Sequence, residues 1–191
     1  VTGPEEILKF WFGREDESGH GEFRRAWFEK DPVFDEEIRS RFVTLHEMAA
    51  RGELDGWKEE PRSCLALILL LDQFPRNMFR ATARAFATDA KAREAADHAV
   101  RSGFDRKLSP VERLFVYLPF EHGESLEDQR RSVGLFRELA EETGSEELLG
   151  YAERHEKIIE RFGRFPHRNE ALGRETTEEE AEFLTTPGSS F

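Results

Sequence analysis

Cys64-Leu65-Ala66-Leu67-Ile68-Leu69-Leu70-Leu71-Asp72-Gln73-Phe74-Pro75-Arg76-Asn77 decides the fold. Pro61 stands just upstream as a first-turn proline, and Leu65 to Leu71 are apolar on every side, so the segment reads as a helix covered all round by neighbours, the central helix of the molecule. Asp72 and Gln73 then fall in or at the mouth of the interior, where an unpaired polar group costs about 1–3 kcal/mol. They require partners, and Arg76, four residues after Asp72, is one candidate. Phe74-Pro75 reads as a helix stop that tucks an aromatic ring back into the core.

Outward from that helix the punctuation is helical throughout. Pro4 leads into Ile7, Leu8, Phe10, Trp11 and Phe12, and Gly13 stops the run. Arg14 to Gly21 is polar and reads as a loop before a short piece carrying Phe23, Trp27 and Phe28. Asp31-Pro32 opens a helix whose buried face is Phe34, Ile38, Phe42, Leu45, Met48 and Ala49, ended by Gly52. Thr88-Asp89 reads as the cap of an alanine-rich helix that Gly103 terminates. Ser109-Pro110-Val111-Glu112 combines a capping box with a first-turn proline and predicts a helix to Leu118, where Pro119 interferes. Two long helices follow, Ser125 to Thr143 and Ser145 to about Phe162, and Thr177 to Glu180 is a second capping box before a short acidic helix ending near Leu184. No segment alternates with a period of two. The prediction is one all-α domain over residues 1–191, about eight helices in antiparallel pairs, with 185–191 a loose tail.

The chain carries a net charge of −12 over 191 residues, which disfavours phosphate backbones and anionic lipid surfaces. Neither nucleic acid nor membrane is therefore expected as a partner. The longest apolar run is too short to span a bilayer and no secretory signal pattern opens the chain, so a cytoplasmic protein is expected. Its single cysteine, Cys64, lies inside the central run and reads as a buried, inert thiol.

Three clusters hold the side chains that could do chemistry. Arg76, Arg80 and Arg84 form a stretch without acids between Gln73 and Thr88; Arg161, Arg164, His167 and Arg168 form another. The planar guanidinium suits carboxylate and phosphate, so the two could converge on an anionic ligand; equally, they could pair with internal acids such as Asp72 or Glu121 and lock helix ends together. Pro119-Phe120-Glu121-His122-Gly123-Glu124 is the densest set of proton-transfer groups, readable as an acid/base site or as a helix corner whose charges satisfy one another. His155 lies on the stripe Leu148, Ala152, His155, Ile159, Phe162 and so faces the core, where it gains interest if it meets Glu121 or His122. His20, His46 and His98 lack such context, and Glu178 to Glu180 read as a solvated first turn without chemistry. No metal-ligand spacing is present, and no metal or cofactor is expected.

Gln73-Phe74-Pro75-Arg76-Asn77 is similar to Arg164-Phe165-Pro166-His167-Arg168-Asn169 with one residue inserted, readable either as the trace of an internal repeat or as two uses of Phe-Pro to stop a helix. Together with Tyr117-Leu118-Pro119-Phe120-Glu121-His122, the opening Phe10-Trp11-Phe12-Gly13 and the closing Leu172-Gly173-Arg174 with Thr177, these strings resemble the bacterial family called domain of unknown function 924. The resemblance spans nearly the whole chain and implies a tetratricopeptide-like arrangement of helix pairs; it implies no established activity. Family members usually carry Glu-His-Ser-Glu where this chain has Glu121-His122-Gly123-Glu124, a departure that weighs against a mechanism needing that hydroxyl. The matching polar positions carried over as site candidates are Asp72, Arg76, Asn77, Arg80, Glu121, His122, Glu124, His155, Arg164, His167, Arg168 and Asn169. The expectation is a small anionic ligand in a polar Arg/His/Glu cleft, with an acid/base role for Glu121, His122 and His155 left open. The alternative is a tetratricopeptide-like module that binds a protein or peptide.

Overall fold

Pro4, Pro32, Pro61 and Pro110 each begin a helix, because a first turn leaves its N–H groups without intrahelical acceptors and proline has none to leave. The computed structural model describes residues 3–14 and 21–190, so the expected loop after Arg14 lies largely outside the described residues. Among these there is no strand. The α-helices are α1 Pro4–Phe12, α2 Pro32–Ala50, α3 Pro61–Leu71, α4 Gln73–Met78, α5 Asp89–Arg101, α6 Pro110–Glu121, α7 Leu126–Thr143, α8 Glu147–Phe162 and α9 Glu178–Leu184. The chain is one all-helical domain whose contacts divide it into two compact units, Val1–Arg80 with Ala85–Pro119 and Ala81–Arg84 with Phe120–Phe191.

In the first unit α3 is central, as predicted: it packs against α1, α2, α4 and α5, and Cys64 through Leu71 are all buried. Burial pushes the Cys64 thiol up to about 11, so it stays protonated and unreactive. Phe74-Pro75 does not end helical structure; it divides it. Asp72 breaks the run and α4 restarts at Gln73, with Pro75 in its first turn. An unbroken helix would give the Leu71 carbonyl the N–H of residue 75, which proline lacks. The Thr88 hydroxyl donates to that carbonyl instead, at 2.6 Å. His46 Nδ1 lies 2.8 Å from the Leu70 carbonyl, and Arg76 Nη1 donates to the Asp72 carbonyl at 2.7 Å. Two side chains from two places thus serve the carbonyls that the end of α3 leaves over, and Arg76 adds a bond to the carbonyl that opens α4.

Several expectations are corrected by this packing. Thr88 sits at the predicted start of α5 yet makes no side-chain cap, its hydroxyl being committed to Leu71. His46 is buried at the α3 end; it follows Ile38 and Phe42 at steps of four, a spacing that could have revealed it. Pro119 lies inside α6, which continues to Glu121 and places that carboxylate on the helix's last turn.

In the second unit α7 and α8 pair as a helical hairpin, with Gly144 in the left-handed region between them. Val133, Phe136, Leu139 and Ala140 are buried as the spacing predicted. Ile158, Ile159 and Phe165 form a core cluster flanked by Phe162 and Phe183. Thr177 and Glu180 make the complete capping box of α9. Glu180 is nevertheless buried, against the expectation of a solvated acidic turn. No helix among the described residues is long and apolar enough to cross a membrane.

Candidate functional site

The candidates from the first motif are all engaged inside the first unit. Asp72 is fully buried, accepts from Gln73 Nε2 at 2.6 Å and lies 3.3 Å from Arg76 Nη1. Arg76 also donates to both oxygens of Asp89, at 2.9 and 3.0 Å. Burial opposes its charge, but Asp72 and Asp89 outweigh burial and raise its value further. Asn77 and Arg80 both donate to Asp35. These bonds tie α2, α4 and α5 to the end of α3.

The second and third motifs meet in the second unit, around one phenylalanine. Gly163, in the left-handed conformation, ends α8, and Phe165 is extended before a 3-10 turn over Pro166–Arg168. Phe165 is fully buried and its main chain is clamped on both sides. Its N–H donates to Glu124 Oε1 at 2.8 Å, its carbonyl accepts from Arg174 Nη2 at 3.0 Å, and Arg174 Nη1 donates to Glu124 Oε2 at 2.7 Å. Burial pushes Glu124 up, but Arg174 and the Phe165 N–H outweigh it and hold the carboxyl below its ordinary value.

Three polar rings and planes surround the Phe165 side chain. The Arg168 guanidinium lies 4.7 Å from its centroid, the His155 ring 5.6 Å and the His167 ring 5.7 Å. His155 is buried on α8, and its Nδ1 lies 2.9 Å from the Tyr151 carbonyl and 3.3 Å from Glu121 Oε1. In the neutral ring Nδ1 therefore carries the hydrogen. Burial drives the His155 value down to about 3; the Tyr151 carbonyl works against this, while positive charge at His122, His167 and Arg168 adds to it. His155 is thus neutral at physiological pH, beside a buried carboxylate and a buried guanidinium. His122 and His167 are half-buried, so the cluster reaches from the interior towards solvent.

Arg164 and Asn169 belong to a neighbouring lock. Arg164 donates to both oxygens of Glu180 at 2.6 and 2.8 Å, and Asn169 Nδ2 donates to Glu180 Oε2 at 3.2 Å. The Arg164 hydrogen bond, aided by the Thr177 N–H, holds Glu180 down at about 2. Sequence reasoning missed Gln129, Arg174 and Tyr151. Gln129 had left a signal, since it precedes Val133 by four on the buried stripe of α7. Among the described residues no group of three or more His, Cys, Asp or Glu is placed to hold a metal ion.

Fold and cluster together define an all-α protein whose polar side chains gather at helix ends. The sequence profile described as bacterial protein of unknown function, DUF924, matches residues 7–188, and the chain belongs to that family. A solved structure of a protein of unknown function from Agrobacterium tumefaciens is similar at 47% identity and a TM-score of 0.85, covering 95% of this chain and 96% of that one. No curated protein matches.

Proposed function

We propose that the second unit binds a small anionic molecule at the surface where His122 and His167 lead in to Arg168, in a cytosolic setting. One observation carries this reading: Glu121, His122, His167 and Arg168, drawn from two separate segments, all act on His155 of a third, and His155, His167 and Arg168 pack on Phe165. In a chain of net charge −12, a buried arginine and two half-buried imidazoles that all act on one histidine are a local concentration of cationic groups suited to a carboxylate or phosphate. His155 is too weak a base to take a proton near neutrality, so we assign proton movement, where the ligand undergoes a reaction, to His122, with Glu121 orienting its neighbours. Arg76 and Arg80, bound to Asp89 and Asp35, we assign to structure.

Calorimetric titration with inorganic phosphate and with succinate tests this. Binding with a Kd of about 1 mM or tighter in the wild type, lost in Arg168→Gln but kept in Arg80→Gln, is the expected outcome. Absence of binding for both probes, or unchanged binding by Arg168→Gln, sinks the reading.

A second reading, protein recognition in the manner of tetratricopeptide-like folds, draws on one feature of the first unit. Phe23 and Phe28 are about half exposed and stack at 5.6 Å. If they anchor a partner, Phe23→Ser with Phe28→Ser abolishes that complex while phosphate binding is untouched.

A further inference from the structure

We infer that Gln129 is a positioning residue for His122, setting the imidazole's aim from behind; the inference rests on the proposed site in the second unit. Gln129 lies in the first turns of α7 and is fully buried. Its Nε2 donates to the Glu121 carbonyl and to the Gly123 carbonyl, each at 2.7 Å. These two carbonyls flank His122, so one amide group grips the main chain on both sides of the histidine.

The grip is specific to glutamine. Both N–H donors of one nitrogen are used, and the amide turned over would set Oε1 against two carbonyl oxygens, so its orientation is decided by the bonds themselves. Among the described residues Oε1 meets no hydrogen-bond donor. Glutamate would oppose an oxygen to two oxygens, and asparagine is one methylene short. The Glu121 carbonyl stands on the last turn of α6, beyond the reach of that helix's own donors, so Gln129 supplies a partner that the helix cannot.

A second contact holds the same corner. A side chain on residue 123 would place its Cβ 2.6 to 2.9 Å from Asp128, the residue next to Gln129, and Asp128 in turn accepts from the Ser125 hydroxyl and donates its own N–H to it. The corner is therefore seated against the start of α7 by Gln129, through the carbonyls of Glu121 and Gly123, and by Asp128, against the bare backbone of Gly123. From it the Glu121 side chain reaches His155, and His122 acts electrostatically on the same ring. Release of the two carbonyls would let both groups turn away from His155 together.

The experiment follows the His122 ring directly by NMR, as the pH titration of its Cε1–Hε1 signal in the ligand-free protein, assigned by the loss of that signal in His122→Gln. Gln129→Met keeps the length of the side chain and removes both donors; Ser132→Ala, a buried hydroxyl one turn further along α7 with no hydrogen-bond partner among the described residues, is the control. The His122 midpoint is expected to move by about 0.5 pH unit or more in Gln129→Met, and to stay within about 0.1 in Ser132→Ala. Should Gln129→Met fail to fold, Gln129→Asn, which can reach only one carbonyl, is expected to shift the midpoint in the same direction by less. A Gln129 variant that melts earlier while His122 titrates as in the wild type shows a structural role alone and overturns the inference. Phosphate titration of the wild type separates the two claims: no binding with a shifted His122 removes the ligand and leaves Gln129 as positioned, whereas binding with an unshifted His122 removes only the positioning role.

Discussion

The end of α3 and the end of α6 solve one problem in different ways. Both helices finish in polar, buried surroundings with carbonyls that lack helical donors. At α3 the donors are His46 and Thr88, and just beyond it Arg76 binds the Asp72 carbonyl and the carboxylates of Asp72 and Asp89. There every candidate from the Phe74-Pro75 motif is consumed in tying α2, α4 and α5 together. At α6 one residue, Gln129, serves two carbonyls, and the histidines and Arg168 of the Phe165-Pro166 motif gather round an aromatic ring instead. Similar strings therefore take different work. Pro75 is absorbed into the first turn of α4, whereas Gly163 ends α8 in the left-handed region and sends Phe165-Pro166 into an extended segment and a 3-10 turn.

If the first corner is architecture, it must break when its charges are cut. Asp72→Ala leaves Gln73 without its carboxylate and Arg76 with one acid fewer, so a loss of about 3–5 kcal/mol is expected in urea unfolding, the largest effect of this set. A loss below about 1 kcal/mol would remove the distinction between the corners. Thr88→Val keeps shape and strips the donor from the Leu71 carbonyl, with an expected cost of about 1–3 kcal/mol. Thr88→Ser, which keeps the hydroxyl, should recover most of it.

Much of this arrangement was legible. The unbroken apolar run of α3, the first-turn prolines and the stripe through Val133, Phe136 and Ala140 depend on local spacing, and each held. The placement of His155 against the core was legible for the same reason. What escaped were choices made by tertiary partners. Thr88 has every property of a cap, but the carbonyl orphaned by Pro75 competes for its hydroxyl. Glu180 sits in an acidic turn that looks solvated until Arg164 and Asn169 cover it. Pro119 should disturb α6, yet the helix continues through it, and no feature of the string alone announces this.

The second corner can be tested through its glycine. Gly123→Ser would drive Cβ against Asp128, including its Cβ at 2.7 Å, with an expected loss of about 1–3 kcal/mol. Asp128→Gly removes the carboxylate and the Cβ together and should make the serine better tolerated, so the two substitutions should be less than additive in a double-mutant cycle. Additivity would show that Asp128 does not define the corner.

The smallest effect separates the two buried acid-sensitive groups of the second unit. His155 is held neutral in the fold, at about 3 against an ordinary 6.5, so the unfolded chain binds its proton first and stability falls as pH drops below 6.5 towards 3. Glu180 is held ionised, at about 2 against an ordinary 4.5, so its contribution is intact above 4.5 and is lost as pH falls through 2. Between pH 6.5 and 5.5 only the first of these acts, with one proton's slope, about 1.4 kcal/mol per pH unit, as its ceiling. His155→Gln should therefore flatten the stability curve in that window, and Glu180→Gln should leave the window unchanged while flattening the curve below pH 4.5. Urea unfolding at pH 6.5, 5.5, 4.5 and 3.5 reads both. A wild-type slope that survives His155→Gln would mean that the imidazole is not kept neutral by its burial, and the assignment of proton movement to His122 rather than His155 would lose its basis.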